Sequence, residues 1–340
     1  MHAVPVLSDD ETATHVISRD VGITVALPNG LELWLFGDTA IYDQSGSGWN
    51  LSNFVDGSTA FEAHYQRGQV PHGREYPSAT PTRFMPVPEG VYLADGSGRP
   101  CIKGNGDAAF SARWPNGAAV MPTNNSDVLI TYSVVCVFGP TGDPQDVTEG
   151  WGYAVYNWRT AQFDRGPVDV VKPRTSGTAI ADLSVWRSPV FHDGELTVFA
   201  ATCPRRFLGC IHGQVSSVTM PATTAALDRV TSYPVRLLAT DHSTVWQPQS
   251  ISVGRYSGGL RLVEGTTIAG TYEILSASTV GGPWHLDASG TLPGCPPRIG
   301  FCFALEGHPE LSPSTDIVVS YLDPNVGPGM GHVVMSALPD

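Results

Sequence analysis

Two aspartates, Asp20 and Asp38, stand on either side of the segment RDVGITVALPNGLELWLFGDT. The apolar run Leu31 to Phe36 reads as a strand that is cut off by Gly37-Asp38-Thr39. The pair Asn29-Gly30 is a strong hairpin signal. Strand pairing about that turn sets residue i opposite roughly 59 minus i. Asp20 then falls beside Thr39 and diagonal to Asp38, with the two Cβ atoms about 5 to 8 Å apart. Like charges that share a cleft are costly unless one is protonated or a ligand engages both. One carboxyl as acid and a second as base or nucleophile is what cleavage of a glycosidic bond requires. The bland alternative is that Asp38 caps its own turn through the Thr39 hydroxyl. Glu310 is a third carboxylate of interest, in reserve as a general acid.

The elements that must position these groups read almost entirely as strands. Apolar runs with turn chemistry between them cover 22–28, 31–38, 127–139, 150–158, 195–203, 259–266, 271–279 and 316–323. The best helical stretch is short, near 223–230. A looser repeat overlies the runs: a polar opening leads into an apolar strand, a Gly, Asp or Asn turn and a second, strongly apolar strand. It begins near residues 18, 113, 184, 244 and 307. Five openings, each heading about four short strands, predict a single all-β domain, a five-bladed β-propeller over residues 1–340. The Gly-rich turn that delivers Trp284 suits the outer strands of a blade. A pair of β-sandwiches is the architectural alternative.

In a propeller the openings converge on one mouth of a central channel. The first opening contributes Arg19 and Asp20, the second Arg113, Trp114 and Asn116, and the third Trp186, Arg187 and Ser188. The fourth contributes Trp246, Gln247 and Gln249, and the fifth His308 and Glu310. Carboxylates, arginines, amides and tryptophans together suit a sugar, whose hydroxyls need donors and acceptors and whose C–H faces need aromatic platforms. Arg19, Trp114, Asn116, Trp186, Arg187, Gln247 and His308 are therefore the expected substrate contacts. Taken singly, each has a packing or capping explanation.

Composition narrows the partners. With 19 basic and 32 acidic residues the formal charge is -13, and no basic stripe offers itself to a phosphate backbone, so nucleic acid is not expected. No apolar run is long enough for a membrane span. Neither a cofactor motif nor a metal-ligand spacing is visible, so no cofactor and no metal is expected. A monomer is expected. Cys203/Cys210 and Cys295/Cys302 each flank a loop rich in Pro, Arg and Gly, which suggests two short-range disulfides and an oxidising compartment. The N-terminus lacks the basic start and apolar middle of a leader peptide. A secreted or cell-envelope protein is expected, its leader removed or its export by another route.

The combination SRDVGIT, LWLFGDTAIYD and GHPELSPSTDIVVSYLD resembles glycoside hydrolase family 183, actinobacterial propeller proteins that include endo-acting D-arabinanases. The likeness covers the first hairpin and the last opening; between them only the strand pattern agrees. It implies an endo-hydrolase of α-linked D-arabinofuranose polymers such as mycobacterial arabinogalactan and lipoarabinomannan, and its paired acidic residues map onto Asp20 and Asp38. Arg19 and Val21 around the first aspartate, and QSGSGWNLSNFVDGSTAFE after the second, depart from the family pattern. The competing functions are a non-catalytic glycan-binding propeller and a different five-bladed glycosidase such as an L-arabinanase. A sialidase is disfavoured because SASTVGGPW lacks the Asp of the sialidase box.

Overall fold

The structure, a computed structural model, describes residues 3–64, 66–93, 99–102, 109–138, 145–171, 185–202, 205–206, 210–211, 213–240, 250–267, 269–295, 300, 302–329 and 331–339. Their organisation follows from how the apolar residues alternate. In Asp127–Phe138 Val128, Ile130, Tyr132 and Val134 point one way and Leu129 the other, and both sides are buried. Successive side chains of a strand leave on opposite faces, so a continuous apolar run needs a cover on each.

Here the covers are neighbouring sheets. Four antiparallel sheets have inner strands Phe110–Val120, Arg187–His192, Ile251–Tyr256 and Phe303–Gly307; a fifth, whose inner strand is Ile23–Ala26, adds one parallel strand at its outer edge. Five separate apolar cores lie between consecutive sheets. Leu33 and Leu35 meet Val128 and Ile130, Tyr153 and Val155 meet Leu196 and Val198, and Phe199 meets Leu262 and Leu275. Val263 and Ile274 meet Val319 and Val334, and Trp34 and Phe61 meet Val318 and Met335. The last contact joins the fifth sheet to the first and closes the ring: a five-bladed β-propeller. The N-terminal segment laces the closure, with Val4–Pro5 pairing to His332–Pro339 of the fifth blade and Leu7–Ser8 to His72–Tyr76 of the first. Trp284, delivered by its Gly-Pro turn, is buried between the third and fourth blades, and a short helix, Thr224–Leu227, is capped by the Thr223 hydroxyl.

The first blade departs from the expected layout. Its inner strand begins at Ile23, beyond the opening expected near 18. Residues His15–Arg19 belong instead to a second, three-stranded sheet with Thr39–Ser45 and Gly48–Val55. Each of these strands is the continuation of a strand of the first blade, reached through a break at 20–22, 37–38 or 56–58. The LWLFGDTAIYD stretch is therefore one long ribbon that changes sheet at Gly37-Asp38.

The disulfide Cys295–Cys302 forms as its spacing suggests, and a further one joins Cys101 to Cys136. Of the expected Cys203/Cys210 pair, Cys203 lies outside the described residues. Disulfides of this kind are favoured outside the reducing cytoplasm. Among the described residues no helix is long and apolar enough to cross a membrane.

Candidate active site

The five inner strands enclose a channel of about 290 Å³, walled by Val25, Ala118, Ser188, Val253, Gly307 and Glu310 among others. Asp20 and Asp38 lie at the end where the first inner strand begins. The Asp20 N–H donates to the Asp38 carbonyl at 3.3 Å, and the Gly37 N–H donates to the Asp20 carbonyl at 2.9 Å. The aspartates are thus direct cross-strand neighbours, one residue closer in register than the sequence suggests. The reason is the turn. Leu27 and Leu31 close a three-residue loop with Gly30 at φ +83°, rather than a two-residue Asn-Gly loop. Pairing then follows Ile23↔Leu35 and Thr24↔Trp34.

Each carboxyl is held by the break beside it. One Asp38 oxygen accepts from the Gly57 N–H at 2.7 Å, at the third strand break, and from the Trp114 indole N–H at 3.0 Å, on the second blade. The Asp20 carboxyl lies over Gly37, where a methyl would stand 2.0 Å from its Oδ1. This is why glycine precedes Asp38. The Thr39 hydroxyl contacts Thr59 at 2.7 Å and Gly37 O at 3.4 Å.

Below the aspartates a polar layer crosses the channel. Arg187 of the third blade donates to Glu306 of the fifth at 2.6 Å. Burial pushes the Glu306 carboxyl up to about 8, with Arg187 and Ser252 opposing it. Glu306 stands opposite Ser320, whose hydroxyl donates to the Gly22 carbonyl, so the layer lies between Asp20 and Thr24. Glu306 was missed by the sequence reading; a carboxylate directly after the apolar run Phe303-Ala304-Leu305 was the available signal.

Several expected contacts are used elsewhere. Arg19 turns into the first blade, paired with Glu75 and stacked 4.6 Å from the Phe36 ring. Arg113 forks onto Asp169, at 2.9 and 2.6 Å. Trp186 is buried in the core between the second and third blades. Asn116 is buried at a strand irregularity and donates to Ser133 at 3.1 Å. His308 is fully buried between Thr24 (2.6 Å) and Ser320 (2.8 Å), against the Trp34 ring, and burial holds its pKa down at about 3. Glu310 accepts from the Thr24 hydroxyl, a few residues down the channel from Asp20, and does not join the aspartate pair. Trp246, Gln247 and Gln249 lie outside the described residues. The mouth thus gathers Asp20, Asp38 and Trp114 from the expected set. Among the described residues no cluster of His, Cys, Asp and Glu could hold a metal ion.

No protein-family profile matches the chain, and no curated protein is similar to it in sequence. Solved structures do match over nearly the whole length. A putative hydrolase from Bacteroides ovatus aligns with a TM-score of 0.52 at 14% identity, covering 94% of this chain and 85% of that one. A GH43 β-xylosidase/α-arabinofuranosidase from a compost microbial metagenome, in complex with xylotriose, aligns with 0.51 at 10% identity, covering 100% and 94%. The GH43_1 enzyme from Xanthomonas citri complexed with xylotriose aligns with 0.51 at 11% identity, covering 98% and 89%. At these identities the likeness establishes the class of fold, the five-bladed propeller of GH43-type glycosidases.

Proposed function

We propose that the protein is an endo-acting glycoside hydrolase that cleaves α-linked D-arabinofuranose polymers at the Asp20–Asp38 pair. The observation that carries this reading is the pairing of two aspartates as cross-strand neighbours where the first inner strand begins, on adjacent strands that both break there. Supporting it are the N–H donors that orient Asp38 and the glycine that makes room for Asp20. A merely structural aspartate needs neither a second carboxyl nor a strand break. The fold adds that glycosidases acting on pentose-containing glycans are built the same way. The D-arabinan assignment itself rests on the motifs of the first hairpin and last opening.

In this reading one of the two aspartates protonates the leaving oxygen and the other serves as base or nucleophile. The Trp114 indole fixes Asp38 and offers its ring to a bound sugar. The test is incubation with D-arabinan and L-arabinan side by side, followed by sizing of the products. Internal cleavage of D-arabinan to a ladder of oligosaccharides is expected. Products from L-arabinan alone would move the activity to another pentosan, and none from either polymer across several pH values would sink the enzyme reading.

A further inference from the structure

Strand Gly48–Val55 forms one edge of the three-stranded sheet above the first blade. Among the described residues it pairs only with Thr39–Ser45, and its residues are exposed along nearly the whole length. Three large apolar side chains stand out on it: Trp49 at 37% exposure, Leu51 at 56% and Phe54 at 38%. An edge strand with bare apolar side chains invites unwanted association unless something is meant to cover it.

The register shows where these side chains lead. Trp49 is opposite Gln44, Leu51 opposite Tyr42 and Phe54 opposite Ala40, with an irregularity between Ile41 and Tyr42 that absorbs the uneven spacing. Gln44, Tyr42 and Ala40 alternate along their own strand, which begins one residue beyond Asp38, so the stripe shares their face and leads toward Asp38. It starts about 7 to 8 Å from that residue and runs outward at about 3.4 Å per residue. Phe54 also meets Phe110 edge-on at 5.8 Å. Phe110 lies on the strand that carries Trp114, which in turn holds Asp38. Two lines of apolar side chains, one on each wall, therefore converge on the same carboxylate.

We infer that Trp49, Leu51 and Phe54 form an extended subsite that binds a neutral polysaccharide chain as it leaves the Asp20–Asp38 pair. The inference rests on the reading of that pair as a glycosidase site. The chemistry of the strand selects the occupant. Gly48–Val55 contains no charged residue, and Asn50, Ser52 and Asn53 interleave with the apolar side chains. Apolar faces beside amides and hydroxyls suit an uncharged chain of sugars, which presents C–H faces and hydroxyls in turn. A stripe reaching some 20 Å from Asp38 spans several sugar residues, which suits a polymer better than a short oligosaccharide.

The test uses the full chain with Trp49→Ala, Leu51→Ala and Phe54→Ala combined. Its unfolding midpoint is compared first, since these exposed side chains contribute little to the core. The ratio of kcat/KM on polymeric D-arabinan to kcat/KM on the shortest cleaved oligosaccharide should fall about tenfold or more, carried by KM. An unchanged ratio overturns the inference. Electrophoresis through gels containing D-arabinan provides a second measurement that needs no catalysis. Retardation of the parent chain, lost in the triple variant, supports the stripe even if the parent hydrolyses nothing and the enzyme reading fails. Equal migration of the two overturns it. Size-exclusion chromatography decides the remaining occupant: a parent dimer that the triple variant converts to monomer makes this face an interface between copies and overturns the polysaccharide assignment.

Discussion

The two ends of the channel contain similar residues and use them differently. At the mouth, Asp38 accepts from a tryptophan indole and stands beside a second carboxyl. Farther down, Glu32 accepts from the Trp34 indole at 2.8 Å and stands beside a second carboxyl, Glu310, while Thr24 and His308 complete the group. The difference lies in the backbone. Thr24 and Glu32 sit inside regular, paired strands, and burial drives the Glu32 carboxyl well above its ordinary range and His308 well below its own. Asp20 and Asp38 sit where strands leave the blade for another sheet, so Asp38 draws N–H donors from a separate break and a separate blade, and the Asp20 carboxyl lies over Gly37. The same residue types thus occur in both places, and the local break in pairing is what sets apart the pair proposed as reactive.

The sharpest way to break this comparison is to neutralise one carboxyl at each end. Asp38→Asn should cost at least about a thousandfold in kcat on D-arabinan, about 4 kcal/mol of barrier, while binding of the polymer is kept. Glu310→Gln should stay within about tenfold of the parent. Equal losses would mean that the two ends act as one site. The layer between the ends gives the next effect. Arg187→Ala removes a buried charge-assisted hydrogen bond to Glu306 and should destabilise the fold by about 1.5–3 kcal/mol in denaturant unfolding. Arg187→Met with Glu306→Leu should recover most of that loss. If the single variant is as stable as the parent, the pair is not the buried seam described here.

A smaller effect tests the break itself. Gly37→Ala places a methyl where the Asp20 carboxyl lies. Moving a reacting group by about 1 Å can cost a hundredfold, so kcat should fall about 10- to 100-fold with a stability change near 1 kcal/mol. Unaltered kinetics would show that the position of Asp20 over Gly37 is immaterial.

Much of this was legible from the chain. Strand after strand lies where apolar runs and turn residues place it, because blades buried on both faces demand uninterrupted apolar segments. The nearness of Asp20 and Asp38 was legible because a Gly-marked hairpin fixes register over the few residues that separate them. The register was off by one because a Pro-Asn-Gly turn can close with two or three loop residues, and only the backbone conformation of Gly30 decides which. The roles of Arg19, Arg187, Trp186 and His308 were not legible, since each is set by partners tens to hundreds of residues away: Glu75, Glu306, the core between two blades, and Thr24 with Ser320. Cys101 and Cys136 share no local spacing either, and only the fold joins them. The second sheet was hidden because a strand that breaks and resumes looks, in sequence, like a strand and a turn.

The mildest prediction separates the two ends by pH. His308 and His332 are held by burial at about 3 and about 4, below the 6.5 of an exposed histidine. Their folded pKa values are depressed, so the stability they confer is present above about pH 6.5 and is lost as the pH falls toward 4 and then 3, by at most about 1.4 kcal/mol per pH unit for each group. Glu306 acts in the opposite direction: its carboxyl is raised from 4.5 to about 8, so its share is full below 4.5 and is lost as the pH rises through 8. The unfolding free energy should therefore decline on both sides of a mildly acidic optimum. His308→Gln, which keeps polar contacts without a titrating ring, should make the acid limb shallower, with His332 still contributing, and leave the alkaline limb as it was. Because His308 belongs to the buried end, the same variant should leave the pH profile of hydrolysis in place. A shift of that profile together with the stability curve would show that protonation at the lower end reaches the aspartates at the mouth.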